Sequence, residues 1–116
     1  MVRTNFNEEL KALKNEMLKM GSLVEDAIYN SIKALQEQDL ELATKVIDDD
    51  DIIDDFEVEL EEKCTKLIAL QQPVARDLRT IIVISKLATD LERIGDHATN
   101  IANMVHQIGE EDLIKP

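Results

Sequence analysis

The sequence predicts an all-α protein, an antiparallel up-down-up bundle of three long helices. Apolar residues recur at steps of three and four along nearly the whole chain, the spacing of one helix face. Only three Gly and two Pro interrupt 116 residues, so there are few places where long helices must break. Hydrophobic residues make up 44% of the chain and aromatic ones 3%. That balance suits helices packed by Leu, Ile, Val and Ala and argues against disorder. The length fits one domain.

The first helix is expected over residues 6–37, with the apolar series Leu10, Leu13, Met17, Met20, Val24, Ile28 and Leu35. Asn7 is its expected N-cap, and Glu8 and Glu9 stand in the first turn, where the helix dipole favours negative charge. The second helix is expected over 40–71, with Asp39 as N-cap and the series Val46, Ile53, Leu60, Cys64 and Leu67. Pro73 ends it, because a residue before proline is driven out of helical geometry. The third is expected from Pro73, which suits a first helical position, to about Ile108. Its series is Leu78, Ile81, Leu87, Leu91, Ile94, Ala98, Ile101, Val105 and Ile108, with Gly109 as the stop. The domain is then 1–109, and residues 110–116 read as a frayed tail or linker.

Helices of about 30 residues span about 45–50 Å, and short connections make neighbours antiparallel. Gly21 and Gly95 fall inside helices, each at a cost of about 1 kcal/mol relative to Ala. Close helix approach is one reason to keep them, and room beside a site is the other.

The formal net charge is -12. Such a surface repels nucleic acid and anionic lipid on average, so no nucleic-acid partner is expected. Cys64 is the single cysteine and has no internal disulfide partner, which fits a reducing compartment. No apolar run approaches the length of a membrane span, and the first residues lack the apolar stretch of a signal peptide. A cytoplasmic location is the expectation.

The acids carry the most information. On the second helix, Asp50, Asp54, Glu57 and Glu61 line one border of the apolar face at spacings of three and four. Acids so placed are neighbours and repel by a few tenths of a kcal/mol per pair, about 0.2–0.5. A bound cation reverses that sign. The third helix carries Glu92 and Asp96, also four apart. Two such pairs on adjacent helices can converge on a cation, and oxygen-only ligands suit magnesium, calcium, manganese or iron. The competing reading is a solvated acidic face, since 25 acids in 116 residues produce such pairs by chance. The run Asp48-Asp49-Asp50-Asp51 has the same alternative, with Lys45 as a local counter-charge.

Catalytic constellations are not found. His97 and His106 do not share a helix face and read as surface residues. A di-iron carboxylate bundle needs Glu-x-x-His on two helices, and the nearest match fails because position 93 is Arg. Cys64 lies on an apolar face and reads as a small buried hydrophobe. There is no glycine-rich phosphate loop. Arg76 and Arg79 form the one basic cluster. They either hold phosphate or, the preferred reading, pair with Asp77, Glu62 or another acid across the corner. No enzymatic activity is expected.

Two strings resemble a known family. Leu70-Gln71-Gln72-Pro73-Val74-Ala75-Arg76-Asp77-Leu78-Arg79 resembles the helix-corner motif of the PhoU family. Asp90-Leu91-Glu92-Arg93-Ile94-Gly95-Asp96, followed by Ala98, Asn100, Ile101 and Ala102, resembles a second motif, and the stretch from Arg3 to Gly21 also fits. The resemblance implies two tandem three-helix bundles, of which this chain holds the first, and the tail is expected to lead into the second. It implies a metal motif, Glu or Asp followed four residues later by Asp, that falls on Asp50 with Asp54 and on Glu92 with Asp96. Iron is the first expectation, with manganese, zinc or magnesium as alternatives, and Glu57 and Glu61 stand next in line. It implies a negative regulator of phosphate uptake and phosphate-starvation signalling, an adaptor between the phosphate ABC transporter ATPase and a membrane histidine kinase. It reaches the membrane only through those partners. A lone half bundle is also expected to self-associate. A metal-free structural interaction domain and a two-metal phosphohydrolase are the competing functions.

Overall fold

A computed structural model describes residues 2–114 of the chain. It is a rod of 70 × 18 × 16 Å built from α1 (Val2–Glu37), α2 (Leu40–Gln71) and α3 (Ala75–Ile114). No strand occurs among the described residues. Lys63 pairs with Glu16, and Thr89 on α3 donates to Glu61 on α2. The Thr44 hydroxyl meets His106 at 2.9 Å. With the groove that residues 23–30 share with residues 45–53, these contacts run in opposite sequence directions, so α2 is antiparallel to both neighbours and the bundle is up-down-up, as the periodicity predicts.

The core follows a strict alternation of steps of three and four. On α1 it runs through Phe6, Leu10, Leu13, Met17, Met20, Val24, Ala27, Ser31 and Ala34. On α3 it runs through Ile81, Ile84, Ala88, Leu91, Gly95, Ala98, Ala102 and Val105. On α2 it takes Ala43, Val46, Ile53, Leu60, Cys64 and Leu67. A mean step of 3.5 keeps one seam facing its partners along the whole length, which is the geometry of a left-handed coiled coil. Buried Ser31 satisfies its hydroxyl by donating to the Ile28 carbonyl at 2.8 Å.

Several sequence expectations change here. The large side chains Leu35, Leu87, Ile94 and Ile108 lie on the flanks and are exposed. Ala34, Ala88, Gly95, Ala98 and Ala102 face inward instead, because small residues let three helices approach closely. α1 begins at Val2 rather than near residue 6, so Asn7 lies inside the helix and is not its cap. Buried Phe6 is a seam residue one turn before Leu10 and extends the helical register toward the terminus.

The α1–α2 connection is two residues long. Gln38 takes the left-handed conformation (φ 55°), and the Asp39 N–H donates to the Ala34 carbonyl at 2.9 Å, a Schellman closure of α1. The Asp39 carboxylate then accepts from the Leu42 N–H at 3.0 Å and caps α2, as expected.

Pro73 does not open α3. It sits in the connection over residues 72–74, between left-handed Gln72 (φ 45°) and Ala75 (φ 51°). Gln72 closes α2 through its N–H to the Ile68 carbonyl. Gly109 does not stop α3 either, since the helix continues to Ile114 and includes the first five residues of the expected tail. A Cβ at Gly109 would lie 2.9 Å from Leu40 Cδ2, so this glycine admits a close side chain from the start of α2. Lys115 and Pro116, the rest of that tail, lie outside the described residues.

Candidate metal centre

The α2 seam register explains how acids come to sit between helices. Steps of three and four from Val46 reach position 50 before Ile53, and position 57 before Leu60. Those two seam positions hold Asp50 and Glu57. Both are half-buried, whereas the apolar seam residues around them are fully buried. Asp54 and Glu61 stand one turn further along the same border and are also half-buried.

α3 faces this strip with Glu92, half-buried, and Asp96, exposed. Gly95 lies between Asp96 and the core, where a Cβ would be 3.3 Å from Ile53 Cγ2 and 4.0 Å from Val24 Cγ2. Its missing side chain lets α3 approach α2 at the level of the acids. Gly95 therefore serves the close approach weighed for it, beside the acidic strip. Gly21 has no neighbour within 4 Å of an added Cβ and serves neither purpose proposed for it.

Asp50, Asp54 and Asp96 each present a carboxylate oxygen, and these oxygens lie within 4.8 Å of one another. Glu92 adjoins this group closely enough for Asp96 and Asp54 to raise its carboxyl pKa. The two carboxylate pairs singled out from the sequence thus meet across the α2–α3 seam. Asp50 Oδ1 is buried without a hydrogen-bond donor, a costly state for a charged oxygen. Thr99 and Thr89 are neighbours on α3 that spacing among acids did not reveal. Thr99 donates to the Gly95 carbonyl at 3.2 Å and its hydroxyl adjoins Asp50. Thr89 donates to Glu61 Oε1 at 3.0 Å.

The electrostatics reflect crowding of like charges. Burial pushes the Glu92 carboxyl up to about 7, helped by the hydrogen bonds its protonated form makes to Asp96 and Asp54 and by the charges of Asp96 and Glu57. Burial also raises Asp50. Thr99 opposes that rise, and the charges of Asp54, Asp96 and Asp51 add to it. Glu57 is raised by burial first, then by Glu61, Asp54 and Asp96. Without a cation the cluster therefore resists full ionisation. An all-oxygen set with an orphaned buried oxygen fits a hard or borderline cation.

Other singled-out residues lie elsewhere. Asp49 pairs with Lys45 at 3.2 Å, as expected of a solvated acid run. His97 is exposed and His106 contacts Thr44. Cys64 is buried, and burial followed by the Glu61 charge pushes its thiol up to about 11. No ion pair joins Arg76 or Arg79 to Glu62 among the described residues.

A three-helix coiled-coil bundle with a carboxylate cluster across one seam defines the class. Residues 17–105 match the PhoU domain model, and the chain belongs to the PhoU family. It is 46% identical to the phosphate-specific transport system accessory protein PhoU homolog of Clostridium acetobutylicum, over 99% of this chain and 54% of that protein. It is 47% identical to the homolog of Aquifex aeolicus, over 94% of this chain and 49% of that protein. The crystal structure of PhoU from Pseudomonas aeruginosa superposes with a TM-score of 0.89 at 43% identity, covering 91% of this chain and 51% of that one. The chain spans about half the length of the relatives it matches.

Proposed function

We propose that this chain is a regulatory module of a phosphate transport system, and that Asp50, Asp54, Glu92 and Asp96 hold a metal ion that locks α2 to α3. The regulatory reading is supported by relatives named as accessory proteins of phosphate-specific transport. In this reading the module is a negative regulator of phosphate uptake and of phosphate-starvation genes. It is a cytoplasmic adaptor between the transporter ATPase and a membrane histidine kinase. No helix among the described residues is long and apolar enough to cross a membrane, which agrees with contact through partners. Self-association is supported by exposed Ile32 and Leu35 on α1 and Ile94 and Ile108 on α3.

The observation that carries the metal reading is the convergence of three carboxylate oxygens within 4.8 Å around a buried, donorless Asp50 oxygen. A bound cation supplies the positive charge that turns mutual repulsion into a shared attraction. Iron is the first candidate, then manganese, zinc or magnesium. Elemental analysis of the purified protein tests the site. The expected result is metal in the parent protein and its loss in Asp50→Asn/Asp96→Asn, and equal metal content in both refutes the site. Pull-down against the transporter ATPase and the kinase tests the adaptor role, which is abandoned if neither binds. Metal-dependent hydrolysis of a phosphate ester, lost in Asp96→Ala, would replace the regulatory reading with a catalytic one.

A further inference from the structure

The α1–α3 groove near the α2–α3 corner differs in charge from four other grooves of the bundle. It has a volume of about 540 Å³, and Lys14, Arg76 and Arg79 line it together with Leu18, Val83 and Leu87. Acids outnumber bases 25 to 13 in this chain, yet the lining contains none. Four other grooves of the bundle each include at least one acid. The groove on the α1–α2 side, for example, sets Glu9 and Glu16 against Lys63 and Lys66.

The apolar lining is open as well. Leu18 is 65% exposed, Val83 52% and Leu87 39%. Arg76 to Leu87 spans about 16 Å of helix, or three turns, the length over which a guest helix offers anchors at i, i+3, i+4 and i+7. A groove with an apolar floor and cationic rim is complementary to a helix with a Leu or Ile stripe flanked by Asp or Glu. A membrane fits less well. The net charge of -12 repels anionic lipid, and three cations fall short of the clusters of roughly 4–8 that hold a surface to such lipid.

We infer that the groove lined by Lys14, Arg76, Arg79, Leu18, Val83 and Leu87 is a docking site for an acidic amphipathic helix of a partner protein. This rests on the adaptor reading, because it supplies the surface an adaptor needs, but its primary test, peptide selection, uses neither the ATPase nor the kinase.

The test is selection of 16-residue helical peptides from a display library on the 116-residue chain, with affinities measured for the winners. Selected peptides are expected to carry acids beside apolar residues spaced three and four apart. Arg76→Glu/Arg79→Glu is expected to weaken them at least tenfold with an unchanged circular dichroism spectrum, and Lys14→Glu on the opposite helix to weaken them in the same direction. A consensus without acids, no recovered binder, or equal binding by all variants overturns the assignment. So does retention of the chain by phosphatidylglycerol vesicles that depends on Arg76 and Arg79. Conversion of a dimer to a monomer by the same charge reversals assigns the groove to a second copy instead. If the parent chain captures the ATPase or kinase and the charge-reversed variant does so equally, the adaptor role stands and the groove assignment falls.

Discussion

Each residue at the acidic strip is decided by one step of register. Asp50 and Glu57 occupy seam positions that elsewhere on α2 hold Val46, Ile53 and Leu60, so they are drawn between helices. Asp51, one position past Asp50, and Asp55, one past Asp54, are exposed. Cys64 shows the same rule with the opposite chemistry. It occupies a seam position and is buried, so its thiol is held up at about 11, by burial first and Glu61 second. The expected consequence is an inert thiol. At pH 8, alkylation by iodoacetamide is expected to be about 100-fold slower in the folded chain than in urea, from thiolate fraction alone. Comparable rates in both states contradict its placement.

The helices are set by their seams more than by their ends. Propensity and capping identify α2 correctly, because Asp39 caps it and Pro73 follows it. They misplace the ends of α1 and α3. A buried Phe6 carries helix past a plausible cap at Asn7, and Leu40 against Gly109 turns an expected stop into a packing contact. The interior glycines separate cleanly. Gly95 and Gly109 meet side chains of α2, whereas an added Cβ at Gly21 meets nothing within 4 Å. Gly21→Ala is therefore expected to raise the free energy of unfolding by about 1 kcal/mol, the helix-propensity gain. The corresponding Gly95→Ala gain is expected to be smaller or reversed, because Ile53 must give way. Urea denaturation of the two variants beside the parent measures both.

For the molecule as a whole, the charge distribution is uneven. Residues 5–20 and 55–90 hold eight basic and ten acidic side chains, while residues 21–54 and 91–110 hold three and thirteen. The antiparallel fold collects these segments at opposite ends of the rod, with the carboxylate cluster where they meet. Metal-free stability should depend on pH through that cluster. Folded Glu92 keeps its proton up to about 7, against an ordinary value of 4.5. Between those values the folded state binds more protons than the unfolded one. Its contribution to stability is therefore lost as pH rises from about 4.5 to 7 and levels off above. Asp50 and Glu57 are raised too and act in the same direction. The expected result, with chelator present, is a smaller fall in stability from pH 5 to pH 7.5 for Glu92→Gln than for the parent chain. Parallel pH profiles count against the crowded cluster. Partial exposure lets solvent screen the effect, so it is expected to stay below the full shift.

The sequence by itself determined the helices, their order and their antiparallel packing. Local spacing, a capping acid and a proline suffice for those, because helix formation is mostly a matter of near neighbours. Four-residue spacing, fixed within a helix, also singled out the row Asp50, Asp54, Glu57 and Glu61 and the pair Glu92 and Asp96, while the choice of Asp50 and Asp54 within that row came from the family resemblance. Only the tertiary structure decided that the pairs face each other, that small residues rather than Leu87 and Ile94 turn inward, and that Lys14 joins Arg76 and Arg79. Those outcomes depend on the rotation and level of one helix against another. Side chains far apart in sequence settle both together, through the close approach that Gly95, Gly109 and the buried alanines allow.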